Sequence, residues 1–229
     1  IFRLAWAAKP RTALVTAPTF AEYAAALESA GCAVRRHFLQ AEVDFAVTDS
    51  ILSSITPEVD MVFLCQPNNP TGQLTPLPLV ERILRRCEAC GALLVVDECF
   101  LDFLPDCDAL TAKALLDSKN LLILKAFTKL YGMAGVRLGY CLCANTALLE
   151  AMQAAGQPWA VSSLAQAAGL AALDETAYVA QVRALIAQQR PRLTAGLRAL
   201  GLRVLDGRAN YLLFQGPETL GDALRQWGV

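Results

Sequence analysis

With 229 residues, 55% of them apolar and 18% charged, the chain has enough apolar material for one large core and part of a second, which excludes a disordered segment or a disulfide-stapled mini-protein. Its 20 Lys and Arg against 21 Asp and Glu leave a formal net charge of −1 with the signs interspersed, so no broad field draws in nucleic acid or an anionic membrane. No uncharged apolar run reaches the ~18 residues of a membrane span, and the expected partner is a small molecule met in the cytoplasm.

Residues 1–8 read as a helix stopped by Lys9-Pro10 and not as a signal peptide, so the chain is expected to start inside a structure. Apolar runs at 13–17, 33–39, 61–65, 93–96 and 121–124 then alternate with helical patterns at 22–30, 79–90 and 110–116, the first two closed by Gly31 and Gly91. This βαβ rhythm predicts an α/β fold, a mostly parallel sheet with helices on both faces, whose strands are nearly all apolar because both faces are covered. A strand at 140–143, helices at 146–155 and 163–173, and a long polar-striped helix at 177–200 follow. Beyond Gly201 the pattern shortens to strands at 203–205 and 211–214 and a helical piece from 220. The expected division is a large domain over 1–174, incomplete at its N-terminus, and a small α+β domain over 175–229, truncated at its end.

The eight cysteines are scattered and several sit in strand-like runs, where free cysteine behaves as a small hydrophobe. Cys87 and Cys90 form a C-x-x-C with no second pair at ligand spacing, so structural thiols are expected and no metal. His37, the single histidine, follows Arg35 and Arg36 on a strand and reads as an exposed residue without a catalytic task.

In doubly wound sheets ligands bind beyond the carboxyl ends of the strands, so chemistry is sought in the loops that follow them. Four such loops carry Pro18-Thr19-Phe20, Gln66-Pro67-Asn68-Asn69-Pro70-Thr71-Gly72, Asp97-Glu98-Cys99-Phe100 and Ala126-Phe127-Thr128-Lys129. They offer an aromatic face, an amide, a carboxylate and an amine to one rim. Singly, each has a bland reading: Asn-Asn-Pro-Thr-Gly is good turn chemistry, Asp97 could cap a helix, and Lys129 could be a solvated charge.

Taken together, Asn68-Asn69-Pro70-Thr71-Gly72, Val95-Val96-Asp97-Glu98, Phe127-Thr128-Lys129 and Ala134-Gly135-Val136-Arg137-Leu138-Gly139-Tyr140 resemble the fold-type I pyridoxal-phosphate aminotransferases. The resemblance implies that Lys129 forms the imine with the cofactor, Asp97 pairs with the pyridine nitrogen, Asn69 donates to the ring oxygen, Phe20 stacks on the ring, and Thr128 and Arg137 hold the phosphate. A carboxylate beside the pyridine nitrogen keeps it protonated, and a guanidinium fork suits phosphate oxygens. It also implies a homodimer with sites at the subunit interface.

Within that superfamily the chain resembles the neighbourhood of threonine-phosphate decarboxylases and histidinol-phosphate aminotransferases. Pro18 to Tyr23, Asp97 to Phe103, Pro158 to Val161 and Gly207 to Leu213 look like the decarboxylases, whose amino acid substrate is phosphorylated and whose product feeds cobalamin synthesis. Transaminases of the group more often have tyrosine at the place of Phe100, so Asn69 is left as the main partner of the ring oxygen. Two departures matter. Ala126 stands where these families often place a phosphate-donating Ser or Thr, and the family's glycine-containing phosphate loop and carboxylate-binding arginine are expected outside this chain. The rival from another class is a non-catalytic binding module on the same fold, which would have no need of Lys129, Asp97, Asn69 and Arg137 together.

Overall fold

The apolar runs of the first 143 residues become six strands of one sheet in a computed structural model that describes residues 1–228. They are β1 (Thr12–Ala17), β2 (Ala33–Phe38), β3 (Met61–Cys65), β4 (Leu93–Asp97), β5 (Leu121–Ala126) and β6 (Gly139–Cys143), in the order β2-β1-β3-β4-β5-β6. Every pairing from β2 to β5 is parallel, and β6 runs antiparallel along β5 at one edge.

Alternate residues of each strand face opposite sides, and over the central strands β1, β3, β4 and β5 both sides are covered, whereas the edge strands β2 and β6 contain no fully buried residue, contrary to the expectation of strands buried on both faces. Leu94, Val96, Leu121 and Ile123 pack into a core with α3 (Ile51–Ser54) and α4 (Leu77–Cys90). Val95, Leu122, Met61 and Phe63 pack into a second core with α1 (Phe2–Ala8), α2 (Glu22–Ser29) and α6 (Thr146–Ala154). Each fully buried aliphatic or aromatic side chain contributes about 1.5–3 kcal/mol relative to exposure, so these two cores fix the sheet and with it the rim at its carboxyl edge.

Helix α4 begins two residues before the expected start. Pro78 occupies its first turn, where a missing N–H leaves no bond unmade, and Gly91 closes it in the left-handed conformation at φ 72°. The helix expected at 110–116 is instead broken into α5 (Cys107–Leu110) and a 3-10 turn at Ala112–Leu115. The cause is Glu98, whose carboxylate accepts from Thr111 Oγ1 at 2.7 Å and from the Ala112 N–H at 2.7 Å and so interrupts the helix at an extended Thr111.

Helices α7 (Ser163–Leu173) and α8 (Thr176–Ala199) follow the expected pattern. The segment after α8 is less regular than expected: β7 (Arg203–Val204) and β8 (Phe214–Gln215) form a two-stranded antiparallel sheet, followed by α9 (Leu220–Gln226). Residues 211–213 lie outside the strand, and Arg190 of α8 donates to the carbonyls of Gly207, Ala209 and Tyr211 in this irregular segment.

Candidate active site

Strand order reverses between β1 and β3: the connection after β1 runs outward to β2, and the chain then returns to build the sheet in the other direction. A crevice opens at such a point, and its walls are the loops after β1 and β3. Those loops are tied together. Thr19 Oγ1 donates to Asn68 Oδ1 at 2.8 Å, Asn68 Nδ2 donates to the Pro18 carbonyl at 3.0 Å, and Gln66 and Thr75 bond reciprocally across the base of the second loop. Tyr211 adds a clasp from the far end of the chain by donating its hydroxyl to the Asn68 carbonyl at 2.9 Å. Asn69 is thereby held on a fixed loop while, among the described residues, its own amide makes no hydrogen bond and remains free to donate.

Asp97 ends β4 between Cys65 of β3 and Leu124 of β5, and is buried. Its carboxylate is gripped at both oxygens: Tyr23 Oη donates to Oδ2 at 2.7 Å and the Cys99 N–H donates to Oδ1 at 3.0 Å. Burial, reinforced by Cys65 and Asp97, raises the Tyr23 phenol well above its ordinary 10, so it stays protonated and stays a donor.

Two lysines four positions apart have opposite surroundings. Lys125 is 3% exposed, with Nζ 3.0 Å from Glu98 Oε2 and 2.8 Å from Asp102 Oδ1. Burial alone would lower its pKa, but the two carboxylates outweigh it and hold the ammonium charged above the ordinary value. Lys129 has no carboxylate partner among the described residues, and its Nζ lies 5.4 Å from the centre of the Phe100 ring. Lys125 lies within β5 on the α4 side with Glu98, whereas Lys129 lies three residues beyond the end of β5 and lines the cavity on the opposite side with Asp97 and Ala126.

All six residues expected to contact the cofactor, Phe20, Asn69, Asp97, Thr128, Lys129 and Arg137, line one cavity of about 320 Å³. The size suits a ligand such as pyridoxal phosphate. So do the donors: an amine without an acid partner, a buried carboxylate with unshared lone pairs, a free amide, and a guanidinium of which one nitrogen is engaged, by the Ala134 carbonyl at 2.8 Å. Ala126 also lines the cavity and, as its side chain requires, offers no donor there. A larger cavity of about 790 Å³ lies along α8, but its walls are mainly Leu and Ile with Arg190 and Arg192, and it contains neither an acid nor a lysine.

Three residues of the site were not singled out for their roles in the sequence. Tyr23 binds Asp97, Cys99 supplies the second donor, and Tyr211 fixes the Asn68 carbonyl while packing edge-on against Phe100 with centroids 5.1 Å apart. Tyr23 carried a readable signal, a phenol on the buried stripe of α2 with Ala26 and Leu27, where its hydroxyl must find a partner. His37 differs from expectation in being half-buried. Its ring nitrogens bond Ser54 Oγ at 2.9 Å and Ser50 Oγ at 3.3 Å, away from the cavity, and burial lowers its pKa. Cys87 of the C-x-x-C is buried and its thiol is pushed up to about 12 by that burial. No group of three or more His, Cys, Asp or Glu among the described residues is placed to hold a metal, and no helix among them is long and apolar enough to cross a membrane.

Comparison with known proteins matches residues 1–227 to the sequence profile of "Aminotransferase class I and II". The threonine-phosphate decarboxylase of Salmonella typhimurium is 39% identical over 216 residues, which are 94% of this chain and 59% of that protein. A histidinol-phosphate aminotransferase from Lactiplantibacillus plantarum is 34% identical over 207 residues, 89% of this chain and 57% of that one. The chain thus spans less than two thirds of the length of these relatives. In structure it is similar to the histidinol-phosphate aminotransferase of Clostridium acetobutylicum, with a TM-score of 0.90, 24% identity, and coverage of 99% of this chain and 69% of that one, a likeness of fold. With the profile matched over nearly its whole length and the expected residues gathered on one cavity, the chain belongs to the aminotransferase class I and II family.

Proposed function

We propose that the protein is a pyridoxal-phosphate lyase that decarboxylates L-threonine O-3-phosphate to aminopropanol phosphate, in the cytoplasm and on the route to cobalamin. Family membership implies the cofactor. The observation that carries the enzymatic reading is the convergence of Lys129, Asp97, Asn69 and Arg137 on one cavity, which a non-catalytic module would not need. The choice of reaction is supported by the 39% identity to a threonine-phosphate decarboxylase and by Phe100. Its ring lies beside Lys129 and has no hydroxyl, while the nearby Tyr211 spends its own hydroxyl on Asn68.

When bound, the cofactor supplies an electron sink for the pair released at the substrate Cα. In this reading Asp97 holds a proton at the ring nitrogen, Asn69 donates to the ring oxygen, Phe20 covers one face, and Thr128 with Arg137 holds the phosphate. Which bond at Cα would break is set by how the residues of the site orient the substrate. For decarboxylation the Cα–carboxylate bond breaks, carbon dioxide leaves, and a proton takes its place on Cα. In this reading Lys129 Nζ, which lines the same cavity and has no acid partner among the described residues, would deliver that proton.

A second reading is favoured by several relatives named histidinol-phosphate aminotransferases at 31–38% identity, and it uses the same residues. There Lys129 would remove a Cα proton instead. The division into a large domain through residue 174 and a small one from 175 belongs to the proposal and is supported by the separate two-stranded sheet β7-β8. So does a homodimer. Product analysis with the intact protein decides between the reactions. Carbon dioxide and aminopropanol phosphate from threonine phosphate are expected; glutamate from histidinol phosphate and 2-oxoglutarate, with no carbon dioxide, would replace the first reading by the second.

A further inference from the structure

The functional reading leaves Tyr23 without a task, yet it is fully buried and joins two of the groups that reading uses. Its hydroxyl donates to Asp97 Oδ2 at 2.7 Å, and its ring meets Phe20 edge-on with centroids 5.6 Å apart. The phenol ring is itself held from behind, stacked on Phe63 of β3 at 4.8 Å and 22°. A buried hydroxyl needs a partner, and a backbone carbonyl would satisfy it. Here the partner is instead a carboxylate whose other oxygen already accepts the Cys99 N–H, so each oxygen has one donor and the carboxylate cannot rotate freely.

We infer that Tyr23 is a positioning residue for the cofactor: it fixes Asp97 and Phe20 relative to each other and shares the carboxylate's charge, so that the proton between Asp97 and the ring nitrogen stays on the nitrogen. The inference rests on the proposed cofactor reading. A hydrogen bond to a charged group is a strong one, and withdrawing it from the carboxylate lets Asp97 compete for the ring proton. The electron sink weakens without any loss of the cavity's shape. A purely structural Tyr23 would matter only through its ring, which Phe reproduces.

The test is Tyr23→Phe in the intact protein loaded with pyridoxal phosphate, read by the pH titration of the visible chromophore that the lysine-linked cofactor gives. A protonated ring nitrogen depresses the pKa of that chromophore, so the variant is expected to titrate about half a unit or more higher, with kcat lower by about tenfold and KM within about twofold. Tyr23 replaced by 3-fluorotyrosine, a stronger donor of nearly the same shape, is expected to move the titration the other way, and it tests the inference even if Tyr23→Phe does not fold. An unmoved titration in the fluorotyrosine protein, or in Tyr23→Phe, overturns the inference while leaving the cofactor reading in place. A wild-type protein that forms no chromophore with pyridoxal phosphate overturns both.

Discussion

Lys125 and Glu98 form a buried ion pair, Nζ to Oε2 at 3.0 Å, on the face of the sheet opposite the cavity that Asp97 and Lys129 line. Glu98 also accepts from Thr111 and Ala112, and Asp102 closes the other side of the ammonium at 2.8 Å while its own carbonyl accepts from Arg183 of α8. The pair thus ties together β4, β5, the turn after α5 and the long helix.

Removing one partner of a buried pair leaves the other charge uncompensated, which costs about 3–5 kcal/mol. Lys125→Ala is therefore expected to lower the unfolding free energy by about that amount in chemical denaturation. Lys129→Ala, which breaks no ion pair, should change it by less than about 1 kcal/mol. Equal losses in the two variants would contradict the distinction drawn between the lysines.

Asp97→Asn should still bind cofactor and lose most activity, because a neutral amide does not favour a protonated ring nitrogen. A fall in kcat of about 100-fold is expected, with cofactor affinity changed much less. Arg137→Ala should do the reverse, weakening the cofactor dissociation constant by about tenfold through the loss of charge-assisted bonds to phosphate. Cofactor titration and steady-state kinetics on both variants check the pair, and near wild-type turnover in Asp97→Asn would remove the electron-sink role.

Burial pushes the Cys65 and Cys87 thiols up to about 12, against about 9 when unfolded. Between those values the unfolded chain releases protons that the folded chain keeps, so stability falls as pH rises from 9 toward 12, by up to about 1.4 kcal/mol per pH unit for each thiol. Below pH 9 their contribution is fully present. Denaturation midpoints measured from pH 7 to 11 should be flat at first and then decline; a rise above pH 9 would contradict the burial argument. The same protonated state makes Cys87 slow to alkylate in the native protein at pH 8.

The strands and the loops after them were legible because their signals are local: apolar runs bounded by Gly31, Gly91 and the Asn68 to Gly72 turn chemistry. The six site residues were named through the family resemblance that those loops and the Arg137 segment carry, and they meet because a parallel sheet sends such loops to one edge. Tyr23 and Tyr211 were not legible in the same way, since their partners lie 74 and 143 positions away and only the folded chain brings them together. The break at Thr111 escaped for a similar reason, as a carboxylate from β4 overrides a local helical pattern. In the irregular segment around Tyr211 the carbonyls of Ala209 and Tyr211 are bonded by Arg190, a long side chain of α8 whose reach no periodicity records.

On the proposed function, Lys129, which lines the same cavity as Asp97, is the amine that holds pyridoxal phosphate. Borohydride reduction of the cofactor-loaded protein followed by peptide mapping tests it directly. One stable pyridoxyl tag is expected, on Lys129, and it should disappear in Lys129→Ala. A tag on Lys125 or any other lysine, or no tag at all on wild-type protein, would contradict it.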